Sequence, residues 1–186
     1  MKTKTQFQYT KLGILIKKFL HTKLGARIGF ALGLSGFNEI EVLVNGRPVS
    51  YSYNSRTDKG AALTASLLAG SALGSVVSPL PPLYIALSTS SLTPAKGDTT
   101  LTGETSASGL ARALGSAGTY VAPSVLDGAA SYVVSKVFTA GAGATIVSAG
   151  LFDAASTGNL FVEANLSSSA VLVLGDTLTI NWTINL

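Results

Sequence analysis

The chain has 186 residues, 47% of them apolar and 12% charged, with 20 Gly, no Cys and a formal net charge of +4 at pH 7. That length suits one good-sized domain, with or without an extension, and such low charge beside many β-branched residues excludes a disordered chain. Without Cys there are no disulfides and no thiolate metal sites.

Residues 1–36 read as a basic arm containing helix. Leu12, Leu15, Ile16, Phe19 and Leu20 recur at helical spacing, with Lys11, Lys17 and Lys18 on other faces. Gly25, Gly29, Gly33 and Gly36 weaken any continuation. Residues 1–60 hold ten Lys and Arg against three acids, whereas 61–186 hold three against six. That asymmetry marks an arm suited to an acidic partner, joined to a near-neutral body. Lys11, Lys17, Lys18, Lys23 and Arg27, with Leu12, Leu15, Ile16 and Phe19, form the candidate assembly interface. The five cations could also meet phosphates, but Leu, Ile and Gly lie between them and no aromatic stacking platform is present. Protein is therefore favoured over nucleic acid as the arm's partner. Charges interrupt 12–34, leaving no uncharged run of about 18 residues to span a membrane and no adequate signal-peptide core.

Residues 39–54 are two alternating runs around Asn45-Gly46, a strong hairpin signal. Pro48 makes the second run start late or lie at an edge. Residues 57–73 suggest a short helix with Thr57 or Asp58 near its N-cap. The Pro-rich 78–82 is a rigid connector, which divides the chain into an anchoring arm, 1–80, and a body, 81–186.

The body reads as β almost throughout. The expected strands are 83–88, 110–114, 131–138, 145–151, 160–166 and 177–186, with 171–174 as an extra. The last ten residues alternate apolar side chains with Thr and Asn, the period of a strand buried on one face. The loop 89–109 is long and polar, as ordered surface excursions and binding loops are. Strands of this number, divided by Gly-, Ser- and Thr-rich turns, predict a mainly β protein: an antiparallel β-sandwich of jelly-roll or immunoglobulin-like type.

Catalytic chemistry is nearly absent. His21 is the only histidine and has no nucleophile motif beside it. With no Cys and one His, a metal site would have to be nearly all carboxylate. Asp98, Glu104, Asp127, Asp153, Glu163 and Asp176 are scattered singly, and Asp127-Gly128 and Gly175-Asp176 are turn pairs. No phosphate-binding Gly-rich loop occurs in a strand–turn–helix context. No enzyme activity, cofactor or metal is expected.

Three stretches carry a resemblance: Pro82-Leu-Tyr-Ile-Ala-Leu-Ser-Thr-Ser90 with the loop 91–101, Thr145–Phe161 with its Asp-Ala-Ala-Ser-Thr-Gly-Asn turn, and the closing 175–186. Leu110-Ala-Arg-Ala113 lies where a short Arg-containing strand belongs. Over about 60–186 the chain resembles tailed-bacteriophage virion structural proteins of tail-fibre, minor structural or decoration type. The resemblance implies a structural β-sandwich located in the virion after assembly in the host cytoplasm. It brings no activity or cofactor. The leading expectation is an accessory virion protein that oligomerises, as a homo-trimer, and docks by its N-terminal arm on capsid, neck or tail proteins. Two alternatives stand beside it. One is a module of a tail fibre that binds host glycan or receptor through 89–109; the other is a single jelly-roll capsid protein of a membrane-containing virus.

Overall fold

The computed structural model describes residues 39–53, 55–69, 81–122 and 130–185. Two five-stranded antiparallel sheets face each other and form a mainly β sandwich. In chain order the elements are β1 (Glu39–Val44), β2 (Arg47–Tyr53), β3 (Ser55–Arg56), α1 (Asp58–Ala69), β4 (Tyr84–Ser88), β5 (Ala113–Leu114), β6 (Ser116–Ala117), β7 (Ser131–Thr139), β8 (Ala144–Phe152), β9 (Leu160–Leu172) and β10 (Thr177–Asn185). The first sheet has the order β2-β1-β10-β7-β6 and the second β3-β9-β8-β4-β5.

The closing alternation sits at the centre of the first sheet. β10 pairs with β7 from Thr177↔Thr139 to Asn185↔Ser131, and with β1 from Glu39↔Thr183 to Val44↔Leu178. Its buried residues Leu178, Ile180, Trp182 and Ile184 enter the main core, where they meet Ile40, Val42, Val134 and Phe138 of the same sheet. Ile85, Leu87, Ile146, Leu151, Phe161 and Val162 fill that core from the second sheet.

The Asn-Gly hairpin forms as expected, with Asn45 and Gly46 both at positive φ. Its place differs from the expected one. The sequence reading assigns it to the arm, but β1 lies between β2 and β10 as an integral strand of the sandwich. Nothing local to 39–54 encodes that long-range ladder. The expected helix is α1: Gly60 N–H donates to the Thr57 hydroxyl at 3.0 Å, the N-cap bond. The Thr57 hydroxyl in turn donates to the Leu160 carbonyl, seating the helix on β9.

The expected strands 160–166 and 171–174 are one strand with an irregularity. Ile146 pairs with Ala170 and Ser148 with Asn165, so 166–169 of β9 stand against Val147 alone. The Leu-Ser-Ser-Ser segment swings β9 toward the other sheet. Ser167 N–H donates to the Ser50 hydroxyl at 2.9 Å, and Tyr51 N–H donates to the Ser167 hydroxyl at 3.1 Å. A second irregularity pairs Leu151 with Val162 but Phe152 with Leu160. The extra residue lets the consecutive Phe161 and Val162 both enter the main core, as a bulge permits.

Both flanks close by strands that change sheets. β2 and β3 are separated by one residue and lie in opposite sheets, as do β5 and β6 around Gly115. A Cβ at Gly115 would lie 2.8 Å from Val134 Cγ1 and 3.0 Å from the Ser135 carbonyl oxygen, so only glycine passes this corner without displacement.

Trp182 is fully buried, whereas Val137 on the far face of the same sheet is 55% exposed. Trp182→Ala is expected to cost about 3–5 kcal/mol and Val137→Ala less than about 0.5 kcal/mol. Urea-denaturation midpoints of the two variants check this contrast.

Candidate functional site

The second sheet carries apolar side chains on both faces. Strand alternation turns Ile85 and Leu87 into the main core and Ala86 outward, where it joins Phe152 and Leu160. Water does not cover this outer patch, because the loop 89–112 lies across it. Leu92 and Leu101 of the loop pack on Ala86, Phe152 and Leu160, with Tyr84 at the margin, and make a second small core. The polar loop expected from sequence is therefore an ordered layer with two apolar anchors.

Hydrogen bonds hold that layer at three places. The Ser88 hydroxyl donates to the Thr102 carbonyl at 2.5 Å and accepts Ser90 N–H at 2.9 Å. The Asn165 side chain of β9 acts as a surrogate backbone for the loop. Its Oδ1 accepts Leu92 N–H at 2.7 Å and its Nδ2 donates to the Leu92 carbonyl at 2.9 Å. Thr105 N–H donates to the Leu87 carbonyl at 2.8 Å, returning the loop to β4.

Arg112 ties the end of the loop to the β8–β9 turn. Its Nε and Nη2 donate to the two Glu104 oxygens at 2.8 and 2.7 Å, a bidentate pair. Nη1 donates to the carbonyls of Ala154 and Thr157 at 3.2 and 2.8 Å. The guanidinium carbon stands 3.5 Å from the centroid of the Phe152 ring, within cation–π range. One side chain thus joins the loop, the turn 153–159 and the second core. The turn is fixed from its own side by Asp153, whose Oδ1 accepts Asn159 N–H at 2.6 Å and whose Oδ2 accepts Asn159 Nδ2 at 2.7 Å. Gly158 completes it at φ +69°, where a Cβ would lie 2.7 Å from Asp153 Oδ1.

Glu163 of β9 is buried beneath the loop, and Asp98 belongs to the loop itself, between its two anchors. The Glu163 carboxyl lies beside that of Asp98, whose Oδ2 accepts Ala95 N–H at 2.7 Å. The backbone bond from Ala95, helped by the Glu163 side chain, holds Asp98 below the usual carboxylate range. Burial first, then the hydrogen bond and charge of Asp98, push Glu163 up to about 8.

What the loop and turn present outward is mostly short and hydroxylic, with Lys96 the charged exception. Thr93, Thr99, Thr100, Thr102, Ser106 and Ser108 are exposed on the loop, as are Ser156 and Thr157 on the turn. No group of three or more His, Asp or Glu that could hold a metal occurs among the described residues. The arrangement is a hydroxyl-bearing surface fixed on the second sheet.

The sequence-derived assembly residues Lys11, Leu12, Leu15, Ile16, Lys17, Lys18, Phe19, Lys23 and Arg27 lie outside the described residues. Sequence reasoning located the loop, the Arg-containing segment and the Asp-Ala-Ala-Ser-Thr-Gly-Asn turn, but not their union through Arg112. A signal existed, since Glu104 is the only other charge between 99 and 115. Glu163, alone among the apolar residues that open β9, was a second signal left unread.

Residues 61–183 match the model of the family described as Gp80, podophage GP4 fiber I protein gp80. No curated protein and no solved structure matches the chain.

The Arg112 side chain is 10% exposed and that of Glu104 26%. Arg112→Ala is expected to cost about 3 kcal/mol, because it strands a partly buried carboxylate. The double variant Arg112→Met/Glu104→Gln should recover much of that loss. Chemical denaturation of the two variants reads the difference.

Proposed function

The chain belongs to the podophage GP4 fiber I protein gp80 family, and on that footing we propose that it is a non-enzymatic accessory protein of decoration or fibre type that oligomerises on the particle. A phage virion structural protein is what family membership establishes, and the virion is its location. The finer role joins two parts. The sandwich with its pinned loop is the displayed body. The basic segment 1–38 is the anchor that docks on acidic surfaces of capsid, neck or tail proteins, or of a second copy. That segment carries seven Lys and Arg and no acid, so its attraction to an acidic neighbour is long-ranged and weakened by salt. A homo-trimer is the proposed assembly.

The observation that carries this reading is the extent of the family match. It runs from within α1, through the whole loop 89–112, to near the end of β10. No helix among the described residues is long and apolar enough to cross a membrane.

A second reading is favoured by the exposed hydroxyls of 93–108 and 156–157: the loop face contacts host surface glycan. Hydroxyl-rich faces offer hydrogen bonds to sugar hydroxyls, though a tight sugar site usually adds an aromatic platform. Tyr120 is exposed, but in the chain it follows β6 and is not part of the loop. For that reason the structural role leads.

Deleting residues 1–36 is expected to leave a soluble body that unfolds with the midpoint of the full chain yet fails to join the particle. Purified virions from a complemented deletion, probed by immunoblot, check this. Incorporation at the normal level would defeat the anchoring role.

A further inference from the structure

Glu163 occupies an unusual position. It follows Val162 and precedes Ala164, both in the main core, and its own side chain points to the opposite face, under the loop. Its backbone partner in β8 is Gly150, which offers no side chain; a Cβ there would touch Leu160, Leu101 and Phe152. Glu163 is 2% exposed and its Oε1 has no hydrogen-bond partner among the described residues. The polar neighbour the site provides is a second carboxyl group, Asp98, on the stretch between the anchors Leu92 and Leu101. Two carboxyl groups hydrogen-bond to each other only when one carries a proton.

Little else holds this stretch down. Residues 93–100 are mostly exposed, and their other tie to the body is at the start of α1. There Asp58 N–H donates to the Lys96 carbonyl at 2.6 Å, and the Lys96 ammonium lies 3.8 Å from the Asp58 carboxylate. That ion pair is exposed on both sides and worth little.

We propose that Asp98 and Glu163 form a proton-operated latch: with one proton between them the 93–100 segment is held on β9, and loss of that proton releases it. Among the described side chains, the charged groups on the surrounding elements are few and mostly engaged elsewhere. The loop brings Lys96, which is directed to Asp58, and Glu104, which is bound to Arg112. Helix α1 brings Asp58 and Lys59, and β3 places Ser55 opposite Glu163 and Arg56 opposite Val162. The adjoining strands β8 and β4 bring no charged residue.

The electrostatics point the same way. Closure raises Glu163 from its ordinary 4.5 to about 8, through burial first and Asp98 second. A carboxyl group raised on closing favours the closed state fully below its ordinary value. That contribution erodes as pH climbs and is gone above about 8. Within this window the opening equilibrium grows by up to about tenfold per pH unit, the effect of one proton released on opening. Asp98 is shifted downward and acts only at acid pH, in the opposite sense. The latch is a property of the fold and holds whatever the loop face contacts.

Two measurements on the full chain test it. A carbon-detected NMR titration should give the Glu163 carboxyl a midpoint near 8, against the ordinary 4.5. Tryptic cleavage after Lys96, quantified by mass spectrometry, should rise from pH 6 to pH 8 by at least about tenfold relative to Glu163→Gln under the same conditions. The ratio to the variant removes the pH dependence of trypsin itself, and the wild-type titration needs no variant to fold. A Glu163 midpoint below about 5.5, or a cleavage ratio unchanged between the two pH values, would overturn the latch.

Discussion

A sheet that carries apolar side chains on both faces has to be covered twice, and that constraint organises this protein. The inner face of β4, β8 and β9 meets the other sheet through Ile85, Leu87, Leu151 and Phe161. The outer face shows Ala86, Phe152 and Leu160. Burying an apolar side chain of this size is worth about 1.5–3 kcal/mol, and the chain supplies the second cover from the long connection between β4 and β5. Once Leu92 and Leu101 commit the loop to that face, polar groups beneath it need partners inside the layer. Asn165 and Ser88 bond the loop backbone, Arg112 meets Glu104 and two turn carbonyls, and Glu163 meets Asp98.

The same economy governs the sandwich edges. An unpaired strand edge invites another chain to add to it. Here residues 47–56 pass from one sheet to the other on one flank, and 113–117 do so on the other. Ser167 closes the corner between β2 and β9. The family match begins at residue 61, within α1, yet the first sheet is complete only with β1 and β2. Residues 39–56 are therefore part of the folded body although they precede the matched region.

Much of this was legible because the physics is local. The alternation of 177–185, the Asn45-Gly46 turn and the Thr57 cap each announce their structure within a few residues. The features that escaped are set by partners far along the chain. Ser167, Ser168 and Ser169 look like a break between strands, and become a swing in β9 only because Ser50 lies across from Ser167. The hairpin reads as part of an arm because its ladder partner, β10, is some 140 residues away. At the site, the loop 89–109 and Arg112 were visible as sequence features. Their union was not, since it depends on a turn 42 to 45 residues downstream. Glu163 in an apolar strand states that a buried carboxyl needs a partner, without saying which.

That the loop 89–112 is a fixed layer of the fold, rather than a tether between β4 and β5, is the claim on which the rest stands. Backbone nitrogen-15 relaxation at pH 6 tests it most directly. The account expects Leu92, Leu101 and residues 104–112 to have order parameters like those of β4 and β8, about 0.85. Values below about 0.6 across these residues, with the strands rigid, would contradict it.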